Sequence, residues 1–322
     1  MKALHLALLS ILAVVVPSAL AQSYPSKPVR IFLPQPAGSP VDVVLRKAFD
    51  DMAPRFGQPL VIENRPGGNS VVASEACARA TPDGHTLCVL NSDPVISNPH
   101  LLKNLPYDAQ KDFKPITMLY YILSGFFVKA ALPVTNVKEL ETYAKAHPEE
   151  LNMGTFGPRS TLDLTRLYLN ERWKTRMQGI PYPGGPQVLQ AVASGAVDTA
   201  VLGAYGGLAL MKGGKVKMVA VSGSKRLPTF PDVPTFAELG MEDVPSGASW
   251  WGLLGPAALP APVVQRVNTE FVRTFRDPKF VAFLNDNLTE PNVGTPEEFT
   301  AQIKSGYDRA GRFAKQFNLQ PE

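Results

Sequence analysis

The stretch Val29-Arg30-Ile31-Phe32-Leu33-Pro34-Gln35-Pro36-Ala37-Gly38-Ser39-Pro40-Val41-Asp42 decides the fold of this chain. Val29, Ile31, Phe32 and Leu33 form a short apolar run, the pattern of a strand in a covered parallel sheet. Gly38 then allows a tight turn. Ser39 is placed to cap a helix, Pro40 suits its first position, and Asp42 follows three residues after the cap. Val41, Val44, Leu45, Ala48, Phe49 and Met52 recur at helical spacing. A helix that starts at the carboxyl end of a strand presents free N–H groups and a positive dipole end. Such a place suits an anion, most simply a carboxylate, although an ordinary strand-to-helix turn has the same outline.

Upstream, Lys2, the apolar run from Leu4 to Val16 and the small residues Ala19-Leu20-Ala21 predict a secretory signal peptide over residues 1–21. The run is too short for a comfortable membrane span, and no later stretch is long and apolar enough, so the mature protein is expected to be soluble and exported to the periplasm. Its first residue would be near Gln22. Without Lys2 the chain has 31 basic and 28 acidic residues, too small a bias to argue for nucleic acid. About 300 residues exceed one usual core and predict two domains. The 31 prolines fall mostly between periodic segments, as loop punctuation.

Downstream, Leu60-Val61-Ile62-Glu63 reads as a second strand, followed by the loop Asn64 to Asn69. A helix over Ser70 to Ala80, the turn Thr81-Pro82-Asp83-Gly84 and a strand over Thr86 to Leu90 come next. This third strand ends at Asn91-Ser92-Asp93-Pro94. Alternating strands and helices predict an open α/β sheet, with ligands at the carboxyl ends of its strands. Cys77 lies on that helix and Cys88 on that strand. In an exported chain this favours a disulfide over two buried thiols. No His or Cys cluster has the spacing of metal ligands, so neither a metal nor a cofactor is expected.

Several motifs in order then resemble one family. Tyr24-Pro25-Ser26-Lys27-Pro28-Val29-Arg30 is similar to the mature start of Bug-type receptors, the periplasmic solute-binding proteins of tripartite tricarboxylate transporters. Pro34 to Asp42 resembles their first ligand loop. Glu63 to Gly68, Pro82 to Leu87 and Tyr107 to Phe113 resemble further signatures. Leu151 to Thr161 repeats the strand–turn–helix logic, with Ser160 or Thr161 as the cap, and corresponds to the ligand loop of the second domain. Gly179 to Gly185, Gly195 to Asp198, Arg226 to Thr235 and Trp250 to Pro256 extend the match over the mature chain. The resemblance implies an α/β, two-domain periplasmic-binding-protein fold of type II-like form. Each domain would be a mixed sheet flanked by helices, with the ligand cleft between them. Residues 22–124 and 227–322 would make the first domain, and residues 125–226 the second.

The same resemblance assigns the ligand to Pro36, Ala37, Gly38, Ser39 and Asp42 on one side and to Gly157, Arg159, Ser160 and Thr161 on the other. Asp42 could equally cap its helix. Arg65 could clamp a carboxylate, but is expected to hold its own turn. Arg159 could meet a second ligand carboxylate or be a solvated loop charge. Phe156, Tyr205 and Trp251 could form an apolar wall or pack the cores. Departures from the family pattern include Gln35 for an aromatic, Ser39 for Gly, His85 for an aromatic, Asp163 for His and Pro183 for a basic residue. Gly203 stands where many members have an Asp that meets a ligand amino or hydroxyl group, which weighs against an amino-acid ligand.

The expected function is therefore a binding protein, not an enzyme. A monomeric, hinged receptor would close on a small carboxylate and present it to membrane permease subunits. A sensor handing the same closed state to a membrane signalling partner is the alternative. An exported hydrolase is a distant third, because neither G-x-S-x-G nor H-E-x-x-H occurs.

Overall fold

The computed structural model describes residues 24–158, 160–223, 225–227, 229–245 and 249–321. The expected signal peptide and Arg159 lie outside the described residues. The first half of the chain runs β1 (Val29–Leu33), α1 (Pro40–Phe56), β2 (Leu60–Asn64), α2 (Val71–Ala78), β3 (Thr86–Asn91), α3 (Asn98–Leu101) and β4 (Phe113–Ile122). It continues as β5 (Ser124–Lys129), α4 (Val137–Ala146), β6 (Asn152–Thr155), α5 (Thr161–Trp173), β7 (Gln178–Pro181), α6 (Gly185–Ser194), β8 (Thr199–Gly203), α7 (Ala204–Lys212) and β9 (Val216–Val221). The last part is β10 (Ser249–Pro256), α8 (Ala261–Phe275), α9 (Pro278–Asp286), β11 (Thr289–Pro291) and α10 (Pro296–Gln316).

These strands form two mixed sheets. The first has the order β11-β4-β10-β3-β1-β2, and the second β7-β6-β8-β5-β9. In the first, β1 runs parallel to both neighbours, with Ile31 opposite Ile62 and Leu87. The late strand β10 enters antiparallel between β3 and β4, so Trp251 faces Asn91 on one side and Tyr120 on the other. In the second sheet β6 is parallel to β7 and β8, while β5 is antiparallel to β8 and β9. One residue, Leu123, separates β4 in the first sheet from β5 in the second. The return runs between β9 and β10. Its Phe236, Met241 and Val244 pack into the second lobe's core.

Burial of apolar faces explains why each sheet is covered. On one face of the first sheet, Ile31, Leu33 and Val89 pack with Val44, Leu45 and Phe49 of α1 and Phe271 and Phe275 of α8. The Phe49 and Phe271 rings meet edge to face at 6.2 Å. On the other face Phe32, Cys88 and Trp250 pack with Phe299 of α10 and Cys77 of α2. Cys77 and Cys88 form a disulfide, with Cα atoms 5.9 Å apart, which ties α2 to β3. In the second lobe Phe126 stacks on Trp173 of α5 at 6.3 Å. Phe127 on the opposite face presses on Gly207 of α7, where an added Cβ would lie 2.3 Å from the ring.

The C-terminal helix joins the lobes. A capping box of Thr295 and Glu298 starts α10, which packs on β4. Its far end reaches α5, where the Phe313 ring meets Tyr168 at 6.4 Å and Gln316 hydrogen-bonds to Glu171. Among the described residues, no helix is long and apolar enough to cross a membrane.

Candidate ligand-binding cleft

Between the two sheets lies a cavity of about 510 Å³, lined mostly by apolar groups. Asp93, Tyr121 and Trp250 come from the first lobe, and Phe156, Thr161 and Gly203 from the second. An apolar hollow with a few polar groups converging on it is the usual form of a small-molecule site. A second cavity, of about 600 Å³, lies on the first lobe alone and is lined by Lys27, Arg30, Arg65 and Arg79. These cations are already matched, Lys27 by Asp83, Arg30 and Arg65 by Glu63, and Arg79 by Glu75. The Arg65 guanidinium also lies 4.0 Å from the centroid of the Phe32 ring, so it braces its own turn.

The loop after β3 gives the cleft a carboxyl group, Asp93. Ser70 Oγ donates to Asn91 Oδ1 at 2.8 Å, and the Asn91 amide then donates to Asp93 Oδ2 at 2.8 Å. The Asp93 carbonyl accepts from the Ser97 and Asn98 N–H groups, which holds the turn. Burial pushes the Asp93 carboxyl above the usual carboxylate range, and only the Asn91 hydrogen bond opposes this. The other charged pair on the cavity wall, Arg309 and Asp243, is closed on itself at 3.6 Å.

Both strand-to-helix loops form as the sequence predicts, and their internal bonds are specific. Gly38 has φ +80° and Gly157 φ +103°, and an added Cβ would meet nothing at either. Conformation, not space, therefore requires glycine there. Ser160 Oγ accepts from the Asp163 and Phe156 N–H groups and donates to the Gly157 carbonyl. In the first loop the capping role passes from Ser39 to Asp42. Ser39 makes no side-chain cap, and its shielded hydroxyl bonds to no protein atom. Asp42 Oδ2 accepts from Gly38 N–H at 2.9 Å, and Oδ1 from the Asn64 amide at 3.1 Å. Arg46 Nε and Nη2 bind the same carboxylate at 2.8 and 3.1 Å. Burial alone would raise the Asp42 pKa, but the bonds from Arg46, Gly38 and Asn64 outweigh it and hold it below the usual range.

Residues 44–319 match the sequence profile of the tripartite tricarboxylate transporter family receptor. The chain belongs to this receptor family. It is 31% identical over 308 residues to a UPF0065 protein of Bordetella pertussis, covering 95% of this chain and 94% of that one. It is also similar to the structure of the periplasmic binding protein BugD, with 27% identity and a TM-score of 0.72 over 93% of this chain and 100% of that one. MatC of Rhodopseudomonas palustris with bound malate gives 29% identity and a TM-score of 0.69, over 90% of this chain and 99% of that one. The two lobes are thus an α/β periplasmic-binding-protein fold, and these receptors are solute-binding proteins rather than enzymes.

In this receptor the cavity brings together Phe156 and Thr161 of the predicted ligand residues. Phe156 is 44% exposed. Pro36, Ala37, Gly38, Ser39, Asp42, Gly157 and Ser160 are not on its wall, although Gly157 and Ser160 belong to the same turn as Phe156. Asp42 is 1% exposed and engaged inside its own loop. Tyr205, at the head of α7, is exposed. Trp251 packs in the first-lobe core, while its neighbour Trp250 borders the cavity and meets Phe299 edge to face. Among the wall residues that sequence reasoning missed are Asp93, His100, Tyr121, Asp243, Trp250 and Arg309. For Asp93 a signal existed, since Asn91-Ser92-Asp93-Pro94 ends a parallel strand at its carboxyl end. For residues on α10 there was none, because only tertiary packing carries that helix to the cleft.

Proposed function

We propose that this chain is a periplasmic receptor that traps a small carboxylate between its lobes and presents it to a tripartite tricarboxylate-type permease. The observation that carries this is the cavity between the two sheets, bordered by the β6–α5 turn with Phe156 and Thr161, in a chain of this receptor family. The bound malate of the related MatC supports a carboxylate as the ligand class. The protein would be a monomer, exported with residues 1–21 removed. Its domains would be residues 22–124 with 227–322 and residues 125–226, hinged at Leu123 and along the return to β10.

The proposed grip uses helix ends. Gly38, Ser39, Phe156, Gly157 and Ser160 N–H groups bond internally in this form. The first-turn N–H groups of Val41 and Asp42 have no acceptor within α1, because an α-helix leaves its first donors unpaired. An anion at that end would meet these donors and the helix dipole, partly through water. The buried Ser39 hydroxyl stands beside them as a further donor. Closure would bring the heads of α1 and α5 toward one ligand.

A thermal-shift screen of the mature protein, refolded to remove carried-over ligand, tests this reading. Dicarboxylates, tricarboxylates, amino acids and aromatic acids form the panel. One class should raise the midpoint, since a ligand at a hundredfold excess over its dissociation constant stabilises by about 2.7 kcal/mol. Gly157→Val, which strains the φ +103° turn, should remove the shift. A panel without any shift would refute the carboxylate reading.

A further inference from the structure

Asp93 is a carboxyl group on the cavity wall for which the described residues supply no counter-ion. Among the described residues its one side-chain partner is the neutral Asn91 amide on Oδ2, and no cation is paired with it. Among the described wall residues the other acid, Asp243, already has Arg309. On the second lobe's side of the same cavity, Gly203 contributes no side chain, and Phe156 contributes a ring. A partly buried carboxylate on a mostly apolar wall without a cation is costly, and it gains most from a partner that brings both charge and hydrogen-bond donors. An ammonium group brings three donors and one charge, and an aromatic ring on the same wall also favours it.

Resting on the carboxylate-receptor reading, we propose that Asp93 makes the cleft selective for acids that carry a protonated amine. The ligand is then a zwitterion, with its carboxylate at the helix ends and its ammonium between Asp93 and the Phe156 ring. This reverses the expectation drawn from Gly203. The acid missing at Gly203 is supplied by Asp93 of the first lobe.

Calorimetric titration with matched pairs tests this on the refolded mature protein: glutamate against glutarate, 4-aminobutyrate against butyrate, and 5-aminopentanoate against pentanoate. In at least one pair the amino acid should bind about 10- to 100-fold tighter, the range of one hydrogen bond to a charged group. Asp93→Asn retains an oxygen for the Asn91 amide and should lose that preference. Circular dichroism melting would report its fold. Equal affinities within every pair that binds, or a preference that survives in Asp93→Asn, would overturn the role of Asp93 and leave the receptor reading standing. Tighter binding of glutarate than glutamate, strengthening at acid pH, would also overturn it, in favour of a protonated Asp93 facing a second carboxylate. Failure of every acid in the three pairs and in the wider carboxylate panel would overturn the receptor reading itself.

Discussion

Asp42→Asn separates a structural role for this carboxylate from a ligand role. The side chain is buried and takes four hydrogen bonds, two from Arg46 and one each from Gly38 and Asn64. Asparagine keeps one acceptor oxygen but turns an amide donor toward partners that are themselves donors. Hydrogen bonds to a charged group contribute roughly 1.5–3 kcal/mol each. The Arg46 side chain is 54% exposed, so its share is discounted for solvent screening. A loss of about 2–3 kcal/mol is expected, read as a lower urea midpoint by tryptophan fluorescence. The pH dependence has a definite sign. The folded-state pKa of Asp42 is depressed, so its stabilisation is complete above the unfolded value of about 4 and fades as pH falls through the lower folded value. Wild type and variant should therefore differ at pH 7 and converge as pH falls through the lowered folded-state value, below which Asp42 is neutral in both states. A midpoint within about 0.5 kcal/mol of wild type at pH 7 would refute the structural assignment. So would a difference that persists unchanged in acid.

Three further outcomes follow from the packing and the cleft. Replacing Cys77 and Cys88 together by alanine should cost about 3 kcal/mol in equilibrium unfolding, because the bridge closes a short loop between positions 11 residues apart. Gly207→Ala should destabilise by about 1–3 kcal/mol despite alanine's helix propensity, since the new Cβ meets the Phe127 ring at 2.3 Å; a higher melting temperature would contradict that packing. Phe156→Ala should change stability by less than about 0.5 kcal/mol, because the ring is half exposed, yet weaken binding of whichever carboxylate the screen identifies. Unchanged affinity in a titration would remove Phe156 from the site.

Much of the fold was legible because its punctuation is local. Gly38 and Gly157 mark turns by conformation, Ser160 caps α5, and Thr295 with Glu298 starts α10, each within a few residues of sequence. The site was legible only where it coincided with such punctuation, as at Phe156 and Thr161. Trp250 and Trp251 show the limit. Strand alternation says that they face opposite ways, but which one borders the cleft depends on where β10 enters the sheet. Asp42 shows a second limit: Arg46 lies one turn along the same helix, but Asn64, which also takes up the carboxylate, is 22 residues away and only the fold brings it there. Arg309 reaches the wall on a helix remote in sequence from β4, a closeness only the folded chain creates.

The central claim is that one small carboxylate is held between the lobes. Hydrogen exchange of the mature protein, with and without the tightest-binding acid of the panel, tests it most directly. Protection should appear together in the β1–α1 loop, the β6–α5 loop and the turn after β3 that carries Asp93. Protection confined to one lobe, or found only around the cavity lined by Lys27 and Arg79, would contradict it.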